Sequence, residues 1–207
     1  MTDPNAPRVF RLRATFIERD RLAMLSHLEV AHALERTVRR AGLPFAVSQG
    51  FSPHMKIAFG AALPVGVGST CEIFDLQLRE YVAANKALAA LQQASVPDLM
   101  VQDCRYIENS APAASVAFPF STYEVRFDEP VSAIDVPDQV TVVRKRKEKV
   151  LYVAEFLAEP FVFEGDRATF TLEAKPTGSL RPDVLLQHCG IAANVVSVTR
   201  IAQRSEL

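Results

Sequence analysis

The sequence predicts an α+β fold of two ferredoxin-like (βαββαβ) units, the second degraded, each with an antiparallel sheet carrying helices on one face. Three observations predict it. Segments of strand and helix character follow the order strand, helix, strand, strand, helix, strand through the first half. The first strand alternates apolar and polar residues, as a sheet covered on one side does. With 207 residues, 49% of them hydrophobic, the chain can bury two cores of about 100 residues each. The expected organisation is a domain over residues 8–108, a linker over 109–115 and a second domain over 116–204. The halves share no residue-level repeat, so the duplication rests on topology.

Residues 1–7, MTDPNAP, read as a disordered lead-in. From Val9 the pattern alternates: Phe10, Leu12, Ala14 and Phe16 share one face, and Arg11, Arg13 and Thr15 take the other. After the turn ERDR, Ser26 and Glu29 form a capping box, and Leu25 and Val30 a hydrophobic staple around it. At 100° steps Val30, Ala31, Leu34, Val38 and Ala41 fall on one helix face and His32, Arg36, Arg39 and Arg40 roughly opposite. Gly42 and Pro44 end this helix. Residues 45–49 and 55–60 read as strand pieces around a bend at Gly50 and Pro53, with Phe51 and His54 near its tip. A Gly/Pro loop over 61–69, a strand over 71–78, a helix within 82–94 and a strand over 99–107 complete the first unit.

NSAPAAS, residues 109–115, has a linker's composition. Beyond it Tyr123, Val125 and Phe127 mark a strand, and 140–153 holds VRKRKEK between apolar ends. A hairpin turning at Gly165 and Asp166 joins strands over 160–164 and 167–174. Pro182 and Gly190 bracket a short helix, and 195–201 closes as a strand. The first helix of this unit has shrunk to a loop near 131–137.

Several function classes are excluded or disfavoured. No phosphate-binding glycine loop, dinucleotide fingerprint, metalloprotease helix or nucleophile elbow occurs. The three cysteines, Cys71, Cys104 and Cys189, lack zinc or iron–sulfur spacing, so no cofactor is expected. They read as reduced thiols of a cytoplasmic protein, and no apolar run approaches the ~18 residues that span a bilayer. Net charge is only −1, yet residues 7–66 carry +5 and 141–150 carry +4. Such segregation suits one basic surface facing a polyanion, although solvated helix faces produce it too.

The candidate nucleic-acid-binding residues follow. Arg11 and Arg13 on an open strand face, Arg36, Arg39 and Arg40 on the helix, and Lys145, Arg146 and Lys147 in the second basic run can neutralise phosphates. Phe51 offers a ring on which an unstacked base could lie, unless it tucks under its own hairpin. Gln49, His54 and Lys56 offer hydrogen bonds. The paired aromatics of an RNA-recognition motif are missing. His27 is the one candidate for catalysis: a first-turn histidine is biased toward the neutral imidazole that can accept a proton from a ribose 2′-hydroxyl. Its position amid apolar neighbours favours instead a core histidine donating to a backbone carbonyl. CRISPR repeat-cleaving endoribonucleases carry a first-helix histidine on a duplicated ferredoxin-like fold, a fold-level analogy without their glycine-rich loop.

SHLE at 26–29, LERTVRRAGLP at 34–44, SQGFSP at 48–53 and LPVGV at 63–67 resemble the radical-SAM-linked proteins, a family built on a domain of unknown function. Glu29 and Ser52 stand where that pattern has aspartate and asparagine, and the likeness is dense from Leu25 to Leu78. The resemblance implies a partner, because members occur as a tail on, or beside, radical-SAM proteins with a cobalamin-binding region, often near ribosomal-protein and ribonuclease genes. The expected function is a non-catalytic accessory that binds RNA and acts in trans with such an enzyme. A metal-independent endoribonuclease using His27 and a protein-only adaptor stand as alternatives.

Overall fold

The computed structural model describes residues 9–144 and 147–207, with only the backbone of Arg144 and Lys147. The expected disordered lead-in lies outside the described residues. The fold is mixed α+β, with mostly antiparallel strand pairing and few helices. It divides into two compact units. Unit one holds the residues up to Ala62 and Cys71–Val116; unit two holds Leu63–Thr70 and Ala117–Leu207.

Unit one follows the predicted element order. β1 (Phe10–Glu18), α1 (His27–Arg40), β2 (Ile57–Phe59), β3 (Val67–Leu78, from Cys71 on in this unit), α2 (Ala84–Ala94) and β4 (Val101–Ile107) succeed one another. The strands lie in the order β4-β1-β3-β2. Ser26 caps α1 through the capping box with Glu29, as the sequence predicts. Val30, Leu34 and Val38 of α1 share one core with Leu12, Ala14 and Phe16 of β1 and Phe74, Leu76 and Leu78 of β3. At roughly 1.5–3 kcal/mol for each fully buried side chain of this size, that shared burial fixes which face of α1 stays outside.

Two expectations about this unit change. The strand pieces at 45–49 and 55–60 reduce to β2 and single bridges, Phe45 to Leu78 and Val47 to Met55. The strand expected from Cys71 begins at Val67, because residues 67–69 find ladder partners in Val198, Thr199 and Arg200 of β10 (Val195–Arg204).

In unit two, α3 (Ala114–Ala117) ends at its boundary, and β5 (Phe120–Phe127), β6 (Gln139–Arg144), β7 (Lys147–Tyr152), β8 (Leu157–Glu164), β9 (Arg167–Glu173), α4 (Pro182–His188) and β10 follow. The main strands lie in the order β10-β5-β9-β8, while β6 and β7 form a separate two-stranded hairpin. The VRKRKEK stretch therefore supplies the end of β6 and the start of β7, with Lys145 and Arg146 outside the described residues. Gly165 has a φ of 61° where β8 turns into β9, and Pro182 opens α4. Phe127, Phe170, Leu172 and Leu185 are among the residues of this unit's own core.

Candidate nucleic-acid interface

The bend between α1 and β2 is a hairpin. Val47 bridges Met55, the Ser48 N–H donates to the His54 carbonyl at 2.8 Å, and the His54 N–H donates to the Ser48 hydroxyl at 3.0 Å. The Lys56 N–H donates to the Ala46 carbonyl at 2.8 Å, and the Ala46 N–H to the Gln77 carbonyl at 2.7 Å, tying the hairpin base to β3. Gly50 at a φ of 135° turns the tip, a conformation that side-chain-bearing residues rarely adopt. Phe51 stands at that tip with a relative exposure of 112%. Its ring is not tucked under the hairpin. Gln49, His54 and Lys56 are exposed beside it, whereas Met55 is buried and anchors the hairpin in the core.

The three α1 arginines are exposed, as the helix period predicts. Arg39 places its guanidinium over the Phe45 ring, 5.1 Å from the centroid, at the foot of the hairpin. Arg40 donates to the Ala94 carbonyl at the end of α2, at 2.6 Å, and to the Thr37 hydroxyl at 3.3 Å. Arg36 makes no hydrogen bond or ion pair among the described residues and projects its full charge.

Arg11 and Arg13 lie differently from the open face expected for them. Arg13 is only 7% exposed, with its Nε and Nη2 donating to the two Asp75 carboxylate oxygens at 2.7 and 2.9 Å. Arg11 donates to the same carboxylate at 2.7 Å and to the Ala111 carbonyl at 2.5 Å, and both arginines reach the Pro112 carbonyl. The 109–112 segment, read from composition as linker, therefore covers this face within unit one. Burial works to raise the Asp75 pKa, but hydrogen bonds and charge from Arg13 and Arg11 outweigh it and leave the carboxyl below the usual aspartate range. Lys56 meets the cluster, lining with Arg11, Asp75 and Gln77 a recess of about 220 Å³.

His27 is the first residue of α1 and is exposed, not embedded in the apolar face; its ring touches Phe59 edge-on at 5.5 Å. A first-turn side chain has no preceding helical turn to hold it inward, which is why the helix period misplaces it. Lys145 and Arg146 lie outside the described residues, and Lys147 is placed only as the first residue of β7. All three cysteines are free, and burial pushes the Cys104 and Cys189 thiols up to about 11. Among the described residues no group of three or more His, Cys, Asp or Glu side chains could hold a metal ion, and no helix is long and apolar enough to cross a membrane.

Sequence reasoning missed Asp75, although a signal existed. Phe74, Leu76 and Leu78 alternate with Asp75 and Gln77, so β3 has a polar face as β1 does. A carboxylate on one such face is the natural partner for two arginines on another.

No curated protein matches the chain. A family model described as "Uncharacterized protein conserved in bacteria (DUF2344)" matches residues 11–182, a span that takes in β1, the capped helix, the exposed hairpin and most of unit two. The chain belongs to that family of uncharacterized bacterial proteins.

Proposed function

We propose that the chain is a non-catalytic RNA-binding accessory whose contact surface is the Phe51 hairpin together with the outer face of α1. The full exposure of Phe51 carries this reading. A phenyl ring held away from every core residue gains nothing for stability, and leaving it in water forgoes about 1.5–3 kcal/mol of burial. A base stacked on it recovers that surface, and Gln49, His54 and Lys56 supply hydrogen-bond partners around the ring. Arg36, Arg39 and Arg40 provide charge for phosphates. Arg11 and Arg13 contribute less, since Asp75 neutralises one of their two charges and its carboxylate and backbone carbonyls together occupy most of their donors.

The finer fold and the partner belong to the same proposal. We read both units as ferredoxin-like: each places its main strands in the order fourth, first, third, second, and in unit two the β6–β7 hairpin stands where a first helix would be. The resemblance of SHLE, LERTVRRAGLP, SQGFSP and LPVGV to radical-SAM-linked proteins supports action in trans with a cobalamin-binding radical-SAM enzyme, in RNA or ribosome-related modification or processing.

The test is titration of a fluorescein-labelled single-stranded RNA, with its duplex as control. Phe51→Ala should weaken single-strand binding by about 1–3 kcal/mol, roughly 5- to 150-fold, and Phe51→Trp should restore it. Equal binding by wild type and Phe51→Ala would remove the ring from the site. Pull-down from native cells that retains a protein partner and no RNA would instead establish the adaptor.

The exposure of His27 favours one second reading, metal-independent RNA cleavage with its imidazole as base. It requires cleavage that persists in EDTA and is lost in His27→Ala. A purified wild-type protein that leaves RNA intact under those conditions removes this reading.

A further inference from the structure

Unit two contains a cavity of about 320 Å³ between the β6–β7 hairpin, the turn before α4, and α4 itself. We propose that it binds a small organic anion, with an apolar body near the size of one aromatic ring and a phosphate or carboxylate head. The inference is independent of the RNA reading, which concerns other residues in the other unit.

The cavity's chemistry follows from strand register. In the β6–β7 ladder Val140 faces Leu151, Val142 faces Lys149, and Arg144 faces Lys147. Cross-strand partners share a face, and alternate pairs return to it, so Val140, Leu151, Val142 and Lys149 lie on one face, which is apolar except for Lys149. Val140 is in the core, and Val142 and Leu151 line the cavity as its apolar floor together with Val184 of α4. Lys149 forms part of the wall. Its ammonium donates to the Thr177 carbonyl at 3.0 Å, which holds one of its three protons and leaves two for a ligand.

From the opposite wall come His188, Gln187 and Arg181. His188 Nδ1 lies 2.9 Å from the Val184 carbonyl. A carbonyl can only accept, so Nδ1 carries the proton and the neutral ring's Nε2 is an acceptor, open to a hydroxyl of the ligand such as that of a protonated phosphate. Arg181 is paired with Asp183, whose carboxylate is not among the lining groups; among the described residues no Asp or Glu side chain lines the cavity. The described lining thus combines an apolar floor with cationic and hydrogen-bonding walls, and no carboxylate among its residues repels an anion. Its volume sits at the low end of the ~300–1,000 Å³ typical of small-molecule sites, which limits the ligand to a compact one.

The experiment titrates the full chain with phenyl phosphate, benzoate, adenosine 5′-monophosphate and inorganic phosphate, following backbone amide shifts. The expected result is saturable shifts with at least one organic anion, centred on residues 141–143, 149–151 and 177–188, and at least ten-fold weaker binding of inorganic phosphate. Lys149→Gln preserves a donor to the Thr177 carbonyl while removing the charge. It should weaken the organic anion at least ten-fold, and Val184→Phe, which fills the floor, should weaken it through lost volume. Comparison of the phosphate and carboxylate probes identifies the preferred head. The proposal is overturned if none of the organic anions gives saturable shifts, if inorganic phosphate binds as well as phenyl phosphate, or if Lys149→Gln binds like wild type.

Discussion

Asp75 accepts from two guanidinium groups in a site where its own side chain is only 3% exposed. Removing one partner of a buried ionic cluster costs more than the cluster contributes, because the charges left behind have no water to replace it. Asp75→Ala should therefore destabilise the fold by about 3–5 kcal/mol in chemical denaturation. The same carboxylate gives a pH test. Its pKa in the folded state lies below the ordinary value of about 3.9, so its contribution is complete above that value and is lost as pH falls through the folded pKa. Wild-type stability should decline as pH drops below about 4, and Asp75→Asn, which keeps the shape and one acceptor oxygen, should lack that part of the decline. An unchanged acid limb in Asp75→Asn would show that the cluster is not what holds the 109–112 segment in place.

The elements differ in how far local chemistry specifies them. α1 is readable because its start depends on residues three positions apart, Ser26 and Glu29, whose reciprocal bonds need nothing from elsewhere. The exposed arginines follow from the same period, since Val30, Leu34 and Val38 leave no alternative inner face. The first residues of β3 were not readable, because their ladder partners at 198–200 are about 130 positions away. Nor was the cover over Arg11 and Arg13: alternation assigns side chains to a face without saying whether another segment lies on it. The hairpin was legible in its bend but not in its solvent exposure, which depends on packing rather than on glycine and proline. Gly50 permits a direct test. A Cβ there would meet open space, so Gly50→Ala is strained only through its φ of 135°. Relaxing that strain means reorienting the tip that carries Phe51. A stability loss of about 1–3 kcal/mol with weaker single-stranded RNA binding is expected; unaltered RNA binding would mean that the orientation of the tip does not matter to the ligand.

At the scale of the molecule, an almost neutral chain concentrates positive charge in residues 7–66, and the structure divides that charge into two kinds. Arg11 and Arg13 spend theirs internally on Asp75, whereas Arg36, Arg39, Arg40 and Lys56 keep theirs at the surface. The second kind is free to displace counterions from a nucleic acid, whereas the one charge that Asp75 leaves unbalanced in the first lies on largely buried side chains. Each single-strand phosphate neutralised steepens the fall of log affinity with log salt by about 0.7, so engagement of these four cations predicts a slope near −3. Arg36→Glu with Lys56→Glu should lower affinity and reduce the slope's magnitude by about 1.4 or more, because two contacts are lost and two repulsions added. Arg13→Lys, by contrast, should alter stability and leave the slope alone. If both variants flatten the slope equally, the division between structural and binding arginines fails, and the RNA path must run across the 109–112 cover instead of along α1 and its hairpin.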